Sequence, residues 1–164
     1  MFNLDITSFE KCGHTFGEKK QSMKTLLSIL LLGAVSSSFA QVNIVNQTPV
    51  TVTFDNSLSG VNEGVYNGTG FDSAPATGQL DSDAWKCTGL SDGSTTFGAT
   101  ANSGDYAKLS SSGMETSGGF YAFDVEPGNS AFGVQPTGGD FTPGTVTLRV
   151  QNNSGADITE FNID

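Results

Sequence analysis

Apolar and polar residues alternate with period two at three places in the chain. In Thr145-Val146-Thr147-Leu148-Arg149-Val150, the three aliphatic side chains share one face and the two threonines and the arginine share the other. Pro143-Gly144 precedes this run and Asn152-Asn153-Ser154-Gly155 follows it, so the spacing predicts a half-buried strand over 145–150. Val50-Thr51-Val52-Thr53-Phe54, after Pro49, predicts a second strand over 50–54. A third is predicted over 119–125, with Tyr121, Phe123 and Val125 on one face and Phe120 on the other, closed by the turn Pro127-Gly128-Asn129. Shorter runs at 42–45, 84–87, 95–99, 106–109, 131–134 and 158–163 complete a set of about nine strands. From residue 41 onward no stretch combines a helical period with caps. The expected fold is therefore all-β, an antiparallel β-sandwich of jelly-roll type. Its last run, 158–163, stops without a turn; complete domains can end on a strand, and a sandwich incomplete at the C-terminus would look the same and would expose an open sheet edge.

Between the strands, residues 57–79 carry Gly60, Gly64, Gly68, Gly70, Pro75 and Gly78. They read as a long loop crossing one end of the sandwich. Long loops are uncommon unless they bind or move, which makes this one a candidate binding loop.

The N-terminal region has a different pattern. Met23-Lys24 opens a short basic start, an apolar run covers 26–35, and Ser38-Phe39-Ala40 offers the small-x-small site of a signal peptidase. The run is too short to span a membrane, which takes about 20 apolar residues. Residues 23–40 are therefore expected to be a signal peptide cleaved before Gln41. Residues 1–22 are read as an upstream extension outside the fold, with Met23 as the start, and 41–164 as one exported module without a transmembrane span. Extracellular, cell-surface and periplasmic destinations all fit export.

Charge narrows the partners. The full chain has a formal net charge of −10, and from residue 41 onward only Lys86, Lys108 and Arg149 oppose fourteen carboxylate side chains. Such a surface repels nucleic-acid backbones and anionic lipid. Cys87, beside Trp85 and Leu90, is the single cysteine of 41–164 and is expected to be a buried thiol.

The segments 119–125, Ala131-Phe132-Gly133-Val134-Gln135-Pro136-Thr137-Gly138 and Asp140-Phe141-Thr142-Pro143-Gly144 through Asn152, with Gly78-Gln79-Leu80-Asp81-Ser82-Asp83-Ala84-Trp85 upstream, together resemble a β-sandwich accessory module. Such modules stand near the N-terminus of bacterial secreted multidomain proteins. The resemblance covers most of 54–164. It implies a non-catalytic module that continues beyond Asp164, in chains where lamin-tail-like, nuclease-like or sorting domains follow.

Residue inventory excludes several chemistries. From residue 41 onward there is no histidine, so Ser–His and Cys–His nucleophiles have no base, and one cysteine cannot close a zinc site. Gly133-Val134-Gln135-Pro136-Thr137-Gly138 lacks the Lys-Ser/Thr of a phosphate-binding loop. Paired carboxylates are the enzymatic option that remains, with Glu63, Asp105, Glu115, Asp124 and Glu126 among the candidates. The expectation is no enzyme and no organic cofactor.

Calcium is the one candidate ion. Asp81-Ser82-Asp83 places two carboxylates on an apparent loop, with Asx turns as the plainer reading. Trp85, Tyr106 and Phe120 are the candidate ligand-binding rings, because exposed aromatics stack on sugars; Tyr66 and Tyr121 are further rings of interest. Core packing is the competing reading for all of them, and for Trp85 it is the favoured one. The expected function is binding of a glycan or cell-surface component, with a structural spacer, an adhesive domain or a fragment of a larger secreted protein as alternatives.

Overall fold

A computed structural model describes residues 41–46 and 48–160; the signal segment 23–40, the extension 1–22 and residues 161–164 lie outside the described residues. The described chain is all-β. It contains β1 (Val42–Ile44), β2 (Phe71–Asp72), β3 (Leu80–Asp81), β4 (Trp85–Thr88), β5 (Ser110–Ser111), β6 (Gly119–Glu126), β7 (Asn129–Gln135), β8 (Thr145–Leu148) and β9 (Val150–Asn152), with one 3-10 turn at Gly104–Tyr106. Among the described residues no helix is long and apolar enough to cross a membrane.

The strands form small sheets: β1–β9, β2–β3, β4–β8 and the three-stranded β5–β6–β7. The β6–β7 hairpin and the β4–β8 pair are antiparallel, as alternation and the turn at 127–129 lead one to expect. The pairs β1–β9, β2–β3 and β5–β6 are parallel, which departs from the antiparallel expectation. Residues 73–79 join β2 to β3 and 112–118 join β5 to β6, while β1 and β9 stand far apart in the sequence, and alternation within a run carries no trace of any of these pairings.

The predicted strand over 145–150 divides at Arg149. Residues 145–148 pair with β4, with Val146 opposite Cys87 and Leu148 opposite Trp85. The Arg149 amide donates to the Ala84 carbonyl at 2.8 Å, and its own carbonyl accepts from Val42 at 3.2 Å. From Val150 onward the chain pairs with β1 instead. One extended segment thus joins two sheets by changing partner.

Several predicted strands are absent. Residues 50–54 form no strand, although Val52 and Phe54 pack against the core. Phe54 has φ 61, outside the β region, so the alternation there reflects burial without a ladder. Residues 95–99 form turns whose amides bond outward, Thr95 to the Cys87 carbonyl at 2.8 Å and Gly98 to that of Ser82 at 2.9 Å. At 106–109, Tyr106 ends the 3-10 turn and Leu109 has φ 68. Residues 158–160 are not extended into a strand, and the rest of that prediction lies outside the described residues.

The glycine-rich segment 57–79 is irregular apart from β2, as a long loop would be, but it also lends side chains to the core. Val61, Tyr66 and Phe71 are buried, and Asn62 is sealed beside them. Gly70 makes this possible. It has φ 83, and a Cβ there would overlap the Ala101 carbonyl oxygen. That close approach lets Phe71 exchange both backbone hydrogen bonds with Ala101, each at 2.9 Å.

Phe132 is the meeting point of the aromatic core. Its ring lies 5.1 Å from Phe120, 5.6 Å from both Phe54 and Tyr66, and 5.9 Å from Trp85, centroid to centroid. Each fully buried large apolar side chain stabilises the fold by roughly 1.5–3 kcal/mol. Three buried oxygens, Asn62 Oδ1, Tyr66 Oη and Ser82 Oγ, have no hydrogen-bond partner among the described residues and work against that gain.

Candidate functional site

The candidate calcium pair adopts the turn geometry. Asp81 Oδ1 accepts the Asp83 amide at 2.8 Å, an Asx turn closing the end of β3. Asp81 is buried, and burial pushes its carboxyl up to about 6. The Asp83 amide works against that rise, while the charges of Asp83, Glu63 and Asp72 add to it. Asp72 is its register partner across β2–β3. Among the described residues no group of three or more His, Cys, Asp or Glu side chains is placed to hold a metal ion.

The three candidate rings are not an exposed platform. Trp85 is 5 % exposed, and its indole N–H donates to the Val61 carbonyl at 2.9 Å inside the core. Phe120 is fully buried, stacked on Phe132 and edge-on to Phe71. The strand alternation was expected to leave one face of β6 open. Instead β6 lies between β5 and β7, and residues 119–122 are all buried. Val125, expected on the buried face, is exposed because the hairpin runs out past the core. Tyr121 is buried too, its hydroxyl donating to the Ser117 carbonyl at 3.1 Å. Cys87 is buried as expected; burial pushes its thiol up to about 11, so it carries no thiolate at neutral pH.

Tyr106 is the candidate ring that reaches a groove. It packs edge-on to Phe71 at 6.4 Å, and burial pushes its phenol up to about 12. It also lines a surface groove of about 460 Å³, together with Asp92, Ser94, Thr95, Thr100 and Asn102. The wall is thus hydroxyls, one amide, one carboxylate, one ring and the small side chains of Ala99 and Ala101. Side-chain contacts help hold the groove to the fold. The Thr95 hydroxyl accepts the Cys87 amide at 2.8 Å, and Asp92 accepts the Asp105 amide at 2.8 Å.

A carboxylate network braces the far side of Asp92. Asp105 accepts the Ser91 hydroxyl at 2.5 Å and pairs with Lys108 at 3.0 Å. Asp140 accepts the Thr137 hydroxyl at 2.6 Å and the Ser91 amide at 2.8 Å. Those donors hold the Asp140 carboxyl down at about 2, Thr137 first. Gly119, with φ 131, runs so close that a Cβ would overlap the Asp105 carbonyl oxygen. These carboxylates are occupied in tying loops together.

Sequence reasoning singled out Tyr106 but missed Asp92, Thr100 and Asn102 as its companions. The run Ser103-Gly104-Asp105, a turn signal, marked the end of that wall. The Asp105 amide on Asp92 joins residues 92–95 to 99–106, and Cys87 of β4 anchors Thr95, contacts that no local pattern announces. Compared with protein-family models, curated proteins and solved structures, the chain matches none.

Proposed function

We propose that this chain is an exported, non-catalytic β-sandwich module that binds a hydroxyl-rich ligand, a glycan, in the groove lined by Tyr106. The carrying observation is the groove's wall. Hydroxyl, amide and carboxylate side chains beside one aromatic ring match the donors, acceptors and apolar ring faces of a saccharide. The Tyr106 hydroxyl makes no hydrogen bond within the described residues, so it is available to a ligand. A non-catalytic role agrees with the lack of histidine from residue 41 onward and the raised Cys87 thiol. Export agrees with the tripartite pattern at 23–40. The jelly-roll arrangement is the way the small sheets would close around the Phe132 cluster.

The test is titration of the full chain with cellobiose, xylobiose, chitobiose and maltose, followed calorimetrically. Binding of at least one, weakened about tenfold or more by Asn102→Ala with the unfolding midpoint unchanged, supports the reading. Binding that ignores Asn102→Ala, or none with any sugar, overturns it.

A further inference from the structure

Two of the three cations from residue 41 onward converge on one ring. The Arg149 guanidinium carbon stands 3.9 Å from the Phe97 centroid, and Lys86 Nζ stands 5.0 Å from it. Lys86 and Arg149 come from adjoining strands. Lys86 pairs with Thr147 across β4–β8, and Arg149 lies two residues beyond Thr147. Thirteen carboxylate side chains are available among the described residues, yet neither cation has one within ion-pair distance; Lys108 takes Asp105 instead. Two like charges are thus held together over a half-buried phenyl without an anion.

Stacking on a ring fixes a guanidinium plane and leaves its N–H edge pointing away from the ring, ready for a carboxylate in bidentate geometry. Phe97 stands in the loop that also supplies Ser94, Thr95 and Thr100 to the groove. Phe97 is two residues from Thr95, so the loop that carries the ring under the two cations also carries part of the groove wall.

We infer that Lys86 and Arg149 receive the carboxylate of an acidic sugar whose neighbour occupies the groove, so that the ligand class is a uronic-acid-containing glycan. This rests on the groove reading and adds the charge of the ligand to it. The surrounding negative surface disfavours densely charged polyanions, which selects sparsely carboxylated glycans.

Cellobiouronic acid and cellobiose differ by one carboxylate and separate the two ideas. Titrated into the full chain at low ionic strength, the acid is expected to bind about tenfold more tightly than the neutral sugar. Arg149→Gln and Lys86→Gln each reduce that ratio, the double variant brings it to one, and Arg149→Lys leaves part of it because the charge stays and the fork is lost. Unfolding midpoints of all four variants report whether the Phe97 contact matters to folding; Arg149→Lys keeps the test valid if Arg149→Gln fails to fold. Equal affinity for the two sugars overturns the inference and leaves the groove reading standing. A preference that survives in the double variant overturns it as well. Failure of both sugars to bind overturns the inference, and the groove reading is then decided by xylobiose, chitobiose and maltose.

Discussion

Asp140 accepts the backbone amide of Ser91 at 2.8 Å, a bond that ties the loop after β7 to the loop after β4. With the Thr137 hydroxyl on its other oxygen, the carboxyl is held down at about 2. An unfolded aspartate titrates near about 3.9, so the native state binds this proton less readily than the unfolded one. The stabilisation is complete above about pH 4 and is lost as the pH falls toward about 2. Denaturant midpoints measured from pH 5 to pH 2 should therefore fall steeply, and Asp140→Asn should flatten that limb while lowering the midpoint at pH 5. An unchanged slope in the variant would remove Asp140 as the acid-sensitive tie.

Asp81 acts in the opposite direction. Burial raises its carboxyl to about 6, so between about pH 4 and pH 6 the folded state holds a proton that the unfolded state has released. Stability from this group is present at low pH and is lost as pH rises through about 6. Asp81→Asn should raise stability at pH 7 by on the order of 1 kcal/mol, less than the full cost of the buried charge because solvent screens part of it. The gain should vanish near pH 4, and asparagine can still accept the Asp83 amide. Excess calcium should leave this pH dependence in place. A calcium ion on Asp81 and Asp83 would hold Asp81 ionised and abolish the dependence, which would show the pair to be metal ligands.

Gly70→Ala tests whether the 57–79 segment belongs to the core. The methyl would meet the Ala101 carbonyl at a backbone φ of 83 that alanine disfavours. A loss of about 2–4 kcal/mol in urea unfolding is expected, as for strain at a special backbone position. A loss below about 0.5 kcal/mol, the range of ordinary surface changes, would return the segment to the surface.

Tyr66→Phe should stabilise. The Tyr66 ring meets Phe54 and Phe132, while its buried hydroxyl has no partner among the described residues and its phenol is pushed up by burial. Removing that oxygen keeps the ring contacts and relieves a desolvation cost of about 1 kcal/mol. A lower thermal midpoint in the variant would mean that the hydroxyl is engaged in solution.

The chain's own pattern determined the parts that depend on near neighbours. Trp85 and Cys87 alternate with Lys86, Tyr121 is followed by a hairpin turn at 127–129, and Val146 and Leu148 alternate with threonine; these are strands because a period-two run beside a turn has few other places to put its apolar side chains. The buried thiol and the missing histidine were equally legible, being matters of inventory. The Asx turn at Asp81 was visible as the plainer of two readings. Tertiary structure decided which alternating runs found a partner. Residues 50–54 alternate as cleanly as 145–150, but only the latter meets β4, and then exchanges it for β1 at Arg149. It also decided that Phe120 is sealed, since that takes the rings of Phe71, Phe132 and Phe141 packed against it. Glycines that suggest a loose loop instead let Gly70 press Phe71 into the core. Alternation records which side chains point the same way. What covers them is set by segments far apart in the chain, and that is why the groove beside Tyr106 and the cations over Phe97 emerge from the fold and not from the sequence.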